Sequence, residues 1–199
     1  MQKIETIEAL EALYGAPVER SLTKVARHLT PHYRTWIAAS RFCILSTVGP
    51  EGTDATPRGD DGPVVEIVDE RTIWLPDWRG NNRLDALRNI VRDDRVSLMF
   101  MITGNTTVVR INGTAVLTAD PSVTARFEQS GRHPRSVAVI TLGEVYFQCA
   151  KALMRSALWT DGRAPTVPTA GEFIRERDAA FDAEDYDAGY DAYARSRMW

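Results

Sequence analysis

The sequence predicts a mainly β protein, a six- to seven-stranded antiparallel barrel with peripheral helices at both ends. Short apolar or alternating segments are separated by tight turns, and only two helical stretches interrupt them, which favours a barrel over a βαβ sheet. With 199 residues, 44% apolar and 26% charged, the chain can bury one real core.

The elements follow in order. Ile4, Ile7, Leu10 and Leu13 recur at helical spacing until Gly15 and Pro17, and a second short helix is expected over residues 21–28. Thr30 and Pro31 open a third helix through Trp36 and Ile37, as an N-cap followed by proline. Residues 42–48 form a continuous apolar strand closed by the turn Gly49-Pro50-Glu51-Gly52, and residues 53–57 pair with it as a hairpin. Residues 64–68 and 72–76 make a second hairpin. A helix is expected over residues 82–91, with Leu84, Leu87 and Ile90 on one face. Three long strands cover residues 95–103, 107–117 and 136–147, the last two joined through a helix beginning near Asp120-Pro121. Residues 160–170 read as a linker, and a charged helix over residues 172–183 follows it. Tyr186, Tyr190 and Tyr193 then fall at helical spacing in an acidic tail, which either docks on the barrel or packs weakly. The organisation is one domain: a helical extension over residues 1–40, the barrel over 41–159, and linker and tail over 160–199.

Whole-chain properties exclude several function classes. A net charge of −3 without a basic stripe argues against nucleic acid. No apolar run is long enough to span a bilayer and no secretory pattern opens the chain, so a cytoplasmic protein is expected. Cys43 and Cys149 sit in apolar contexts and read as two reduced, inert thiols. Two cysteines and three histidines have no metal-ligand spacing, and no nucleophile elbow, Walker loop or dinucleotide fingerprint is present. His28, His32 and His133 read as structural or solvated.

Three stretches carry chemistry. Residues 76–85 join a strand end to a helix start through Gly80, with Arg79, Asn81, Asn82 and Arg83 around it. Unpaired N–H groups at a helix start and planar guanidinium donors suit a phosphate; Asn82 and Asp85 also fit a capping pair. Thr56-Pro57-Arg58-Gly59-Asp60 puts Arg58 at a strand end among turn formers, which also fits a solvent loop. Lys151 and Arg155 share a helix face, where an anion would relieve their mutual repulsion and where a plain surface helix is the alternative.

Together these segments resemble the pyridoxamine 5′-phosphate oxidase-related, FMN-binding split β-barrel family. The resemblance is carried by Pro57-Arg58-Gly59-Asp60, Gly80-Asn81-Asn82-Arg83, Cys149-Ala150-Lys151-Ala152-Leu153, and Val109-Arg110-Ile111-Asn112-Gly113 on a strand that turns at a glycine. It implies FMN as cofactor, with Thr56, Arg58, Pro76, Asp77, Asn81, Asn82, Arg83, Arg110, Lys151 and Arg155 as cofactor-binding residues. Asn81, Asn82, Arg83 and Arg58 would take the phosphate, and Pro76 and Asp77 would run past the ribityl or ring edge. Lys151 and Arg155 would reach the flavin of the other subunit of a homodimer. The implied activity is an oxidoreductase acting on an unidentified small molecule, with a non-catalytic flavin store or sensor, or a deazaflavin or haem protein, as alternatives. The C-terminal residues 193–199 lack the arginine-histidine pattern of the true pyridoxamine-phosphate oxidase, so that reaction is not expected.

Overall fold

A computed structural model describes residues 1–162 and 166–199. Its elements are α1 (Ile7–Tyr14), α2 (Glu19–Thr23), α3 (Pro31–Ala38), β1 (Phe42–Gly49), β2 (Gly52–Gly59), β3 (Glu66–Ile67), β4 (Thr72–Asp77), α4 (Asp85–Arg92), β5 (Arg95–Met101), β6 (Val108–Thr118), α5 (Pro121–Thr124), β7 (Ser136–Gln148), α6 (Lys151–Arg155), α7 (Ala170–Arg177) and α8 (Ala183–Arg195). The seven strands form one sheet in the order β2-β1-β5-β6-β7-β4-β3, and every adjacent pair is antiparallel. This is the mainly β split barrel with peripheral helices that the sequence predicts.

Alternation along the strands builds the core. Cys43, Leu45 and Thr47 of β1 point inward, as do Val96, Leu98 and Phe100 of β5, and they meet Ile73, Ile111, Ile140 and Val145. Each fully buried large aliphatic or aromatic side chain contributes about 1.5–3 kcal/mol. Helix α4 lays Ala86, Asn89 and Ile90 against β1, and Asn89 Nδ2 donates to Thr47 Oγ1 at 3.1 Å, so the one polar pair inside this contact is satisfied.

The long β6–β7 ribbon shifts register between Asn112 and Gly113. A Cβ on Gly113 would lie 2.1 Å from the Thr141 carbonyl oxygen, so only glycine lets the two backbones approach there. The resulting bend curls the sheet until its ends face each other. At one end Asp60 N donates to Arg41 O at 3.0 Å and Val64 N to Ser40 O at 2.8 Å, leading the chain from β2 across to β3. Between β2 and β4 the barrel is bridged by side chains: Arg58 Nη1 donates to Asp77 Oδ1 at 2.5 Å, and Trp78 Nε1 to Asp60 Oδ2 at 2.7 Å.

Three segments differ from the sequence-based expectation. The second helix stops at Thr23, because Ala26 exchanges both backbone hydrogen bonds with Val145 of β7, at 2.9 and 2.8 Å, and leaves the helical path. Helix α4 begins at Asp85, not at residue 82. Asn82 and Leu84 both have φ of 62°, and Asn81 Oδ1 accepts from Arg83 N at 3.0 Å, so an Asx turn replaces the expected Asn82–Asp85 cap. The charged helix expected over residues 172–183 is instead two helices. Helix α7 opens with a capping box from Thr169 and Glu172 and ends at Arg177; α8 restarts with Asp182 capping Asp185 N at 3.0 Å. The linker expected over residues 160–170 lies partly outside the described residues.

Candidate functional site

Strand β2, the end of β4, the Gly80–Arg83 turn, the loop before β7 and the C-terminal segment line one open groove of about 1900 Å³. It runs along the split between β2 and β4. Seven of the ten residues singled out from the sequence lie on it: Thr56, Arg58, Pro76, Asp77, Asn81, Asn82 and Arg83. Two motifs that begin 23 residues apart in the chain, at Pro57 and Gly80, therefore face one space.

Arg58 is the residue best fixed in the groove. It leaves β2 as the cross-strand partner of Cys43, and its side chain is 21% exposed, as is that of Asp77. Asp77 holds the guanidinium from one side, yet Arg58 Nε is buried without a hydrogen-bond partner among the described residues. A buried charged donor left unsatisfied is costly, and an acceptor entering the groove would remove that cost. The charge also works inward: burial pushes the Cys43 thiol up to about 12, and Arg58 pulls it the other way.

The Gly80–Arg83 turn is more open. Asn81, Asn82 and Arg83 are exposed, and Arg83 Nε donates to Asp85 Oδ2 at 2.8 Å. Pro76 is buried beneath this turn and sets its departure from β4. Asn82 and Leu84 both take left-handed backbone conformations, and the Arg83 N–H between them is held by Asn81 Oδ1.

Arg110, Lys151 and Arg155 are not among the residues that line this groove. Arg110 on β6 stacks over Tyr146, with its guanidinium carbon 5.4 Å from the ring centroid. Lys151 and Arg155 stand exposed on α6, beside the exposed apolar side chains of Phe147, Met154 and Leu158. Cys149, expected from its apolar context to be a buried, inert thiol, is exposed, because the apolar run of β7 ends before it, whereas Cys43 is buried.

Sequence reasoning missed two contributors. Trp78 is anchored by Asp60, and its ring meets the ring of Trp199 edge-on, centroids 5.2 Å apart. His133, read as solvated or structural, is exposed but lies on the groove, its Nδ1 2.6 Å from the Phe127 carbonyl oxygen. Among the described residues no cluster of three or more His, Cys, Asp or Glu could hold a metal, and no helix is long and apolar enough to cross a membrane.

The family model for pyridoxamine 5′-phosphate oxidase matches residues 29–149, more than half of the chain. The chain belongs to the pyridoxamine 5′-phosphate oxidase family. The matched region runs from the start of α3 to the end of β7, so both groove motifs lie inside it, and the C-terminal helices fall beyond it. No curated protein matches the sequence. Among solved structures, a pyridoxamine 5′-phosphate oxidase-like protein of Lactobacillus delbrueckii is 22% identical, with a TM-score of 0.49, covering 61% of this chain and 95% of its own. HupZ of Group A Streptococcus is 15% identical, with a TM-score of 0.48, covering 59% of this chain and 91% of its own. An FMN-binding protein of Syntrophomonas wolfei is 12% identical, with a TM-score of 0.44, covering 72% of this chain and 97% of its own.

Proposed function

We propose that this member of the pyridoxamine 5′-phosphate oxidase family binds FMN in the β2–β4 groove and acts as an oxidoreductase on a small molecule. The observation that carries the reading is the unsatisfied Nε of Arg58, held by Asp77 at the wall of a groove that also receives the Gly80–Arg83 turn. A phosphate brings about two negative charges and three acceptor oxygens. Arg58, Arg83, the side-chain amides of Asn81 and Asn82 and the backbone of the turn supply donors of the right kind for it. Thr56, beside Arg58 on β2, adds a hydroxyl, and Pro76 and Asp77 form the wall along which the ribityl chain would lie.

FMN supplies reversible hydride and electron transfer when bound, and the protein contributes binding, orientation and electrostatics. Arg58 and Arg83 anchor the phosphate, and the buried face beneath Pro76 excludes water from one side. No residue of the groove is assigned as a proton donor or acceptor, which fits chemistry carried mainly by a cofactor.

The proposed assembly is a homodimer with two equivalent sites. Support comes from α6, where Lys151 and Arg155 stand away from their own groove beside exposed Phe147, Met154 and Leu158. A partner groove gives these cations an anion to face. Such an interface belongs to the obligate class, which buries more than about 2,000 Å².

The test is reconstitution with FMN followed by anaerobic addition of NADH or NADPH. Bound yellow flavin that bleaches with a reductant, and recovers with an acceptor, is expected of the oxidoreductase. Bound flavin that no reductant bleaches would leave a binding protein without turnover, and absence of flavin binding would end the proposal.

A further inference from the structure

Two side-chain links cross the split of the barrel, and only the first bears on the phosphate. Arg58 reaches Asp77. Two residues further on, Asp60, just past the end of β2, reaches Trp78, just past the end of β4.

The second link is part of a junction. Asp60 Oδ2 accepts from Trp78 Nε1 at 2.7 Å, and Oδ1 accepts from Gln129 Nε2 at 2.8 Å. One carboxylate therefore ties the end of β2 to the turn after β4 and to the loop before β7. Its backbone is held as well: Asp60 N donates to Arg41 O at 3.0 Å, and Gly62 N donates to Asp60 Oδ1 at 3.3 Å. Among the described residues no cation pairs with Asp60. Its charge is spent on neutral N–H donors, and hydrogen bonds to an ionised acceptor are among the stronger ones.

Trp78 is what this anchor presents to the groove. It is half-buried and lines the groove between Asp77 and the Gly80–Arg83 turn. Trp199 meets it edge-on, with ring centroids 5.2 Å apart and 79° between the ring planes. An indole fixed at its nitrogen and packed by a second indole has little rotamer freedom left. A flat ligand laid against such a ring incurs little further ordering cost, and flat cofactors pack on apolar and aromatic walls.

Resting on the FMN reading of this groove, we propose that Asp60 is a positioning residue, which holds Trp78 as the aromatic wall for the flat ring of the cofactor. Arg58 and the Gly80–Arg83 turn take the phosphate, and the Asp60–Trp78 link serves the other end of the same ligand. Asp60 touches no ligand itself and acts through the indole.

The experiment titrates the flavin-free protein with FMN and with riboflavin, which shares the ring but not the phosphate. It reads both the affinity and the residual emission of the bound flavin, which an indole in contact quenches. Trp78→Phe keeps a ring but has no N–H for Asp60, and Asp60→Ala removes the acceptor. Each should weaken both ligands about three- to tenfold, the worth of one aromatic contact, and raise the emission of the bound flavin. The double variant should bind no more weakly than the weaker single one, because the two residues act as a unit. Asp60→Asn keeps an oxygen for the indole and should restore the wild-type quench, a recovery that a general loosening of the fold would not give. If Asp60→Ala does not fold, Trp78→Phe and Asp60→Asn carry the two tests. Additive losses in the double variant overturn the role of Asp60, as does an Asp60→Asn protein that folds yet quenches no more than Trp78→Phe. Unchanged emission in Trp78→Phe overturns the aromatic wall and leaves FMN binding standing. Wild-type protein that takes up neither flavin ends the FMN reading and this inference with it.

Discussion

Arg58 and Asp77 meet at 2.5 Å although β2 and β4 stand near opposite ends of the sheet order, with four strands between them in the hydrogen-bonded ladder. The ion pair thus spans the split of the barrel rather than a strand pair. It fixes Arg58 so that one donor is spent on Asp77 while another, Nε, is buried without a hydrogen-bond partner among the described residues.

Removing either arginine proposed to face the phosphate tests binding apart from folding. Arg58→Ala and Arg83→Ala each delete a charge-assisted bond worth roughly 1.5–3 kcal/mol, so FMN affinity is expected to fall about ten- to a hundredfold. The Arg58–Asp77 pair is mostly buried, so Arg58→Ala leaves the Asp77 carboxylate without its partner and should cost the fold about 1–3 kcal/mol, whereas exposed Arg83 should cost it little. Flavin fluorescence titrations read the first effect and urea unfolding the second. Wild-type affinity in both variants would move the phosphate elsewhere.

Asp77→Asn tests the pair from its other side. It keeps the shape but removes the charge that competes with an incoming phosphate for Arg58. FMN affinity is expected to hold or rise, whereas a loss beyond tenfold would assign Asp77 a direct role at the ligand.

Gly113→Ala should destabilise the barrel without touching the groove. The new methyl meets the Thr141 carbonyl oxygen at 2.1 Å, with Thr141 C and Gly143 N at 3.1 and 3.2 Å, all backbone atoms that cannot swing aside. Overpacking of this kind costs about 1–3 kcal/mol. Thermal unfolding measures it, and an unchanged midpoint would mean that the β6–β7 bulge relaxes freely.

Cys43 gives the fold an alkaline dependence. Burial raises its pKa to about 12 from an ordinary value of 9.0, so the folded state favours the neutral thiol. That contribution is fully present below about pH 9 and is lost progressively as pH rises towards 12. Unfolding free energy plotted against pH is expected to fall more steeply above pH 9 for the wild type than for Cys43→Ala. Parallel curves would remove Cys43 as the cause.

Much of this was legible in the sequence because the signals were local. The continuous apolar run of residues 42–48 marked β1, and the glycine of Val109-Arg110-Ile111-Asn112-Gly113 marked where the long strand turns, at the register shift beside Asn112. The Arg58 and Arg83 motifs indeed share one groove. What escaped was set by tertiary contact. Ala26 belongs to a helical pattern, yet its backbone is captured by Val145. Asn82 and Asp85 have the composition of a helix cap but stand on either side of a left-handed bend. A single tryptophan at position 199 has no periodicity to announce that it will rest on Trp78. Cys149 follows an apolar strand, and nothing local says that the inward alternation has ended before it.

The proposed sharing of the site between two subunits has its own test. Arg83→Ala and Lys151→Glu, each expected to be deficient in FMN binding, are mixed after dissociation and reassembly. A heterodimer collects both changes in one site and leaves the other intact, so about a quarter of wild-type binding should return with random exchange. No recovery despite proven exchange would mean that each site is built within one chain.

The central claim is that the groove between β2 and β4 holds FMN by its phosphate. Parallel titrations of the flavin-free protein with FMN and riboflavin, followed by quenching of flavin fluorescence, test it most directly, because the two ligands differ only in that group. FMN is expected to bind more tightly by at least about tenfold, as the loss of one charge-assisted bond alone implies, and that preference should shrink in Arg83→Ala. Equal affinity for FMN and riboflavin, or no binding of either, would contradict the account.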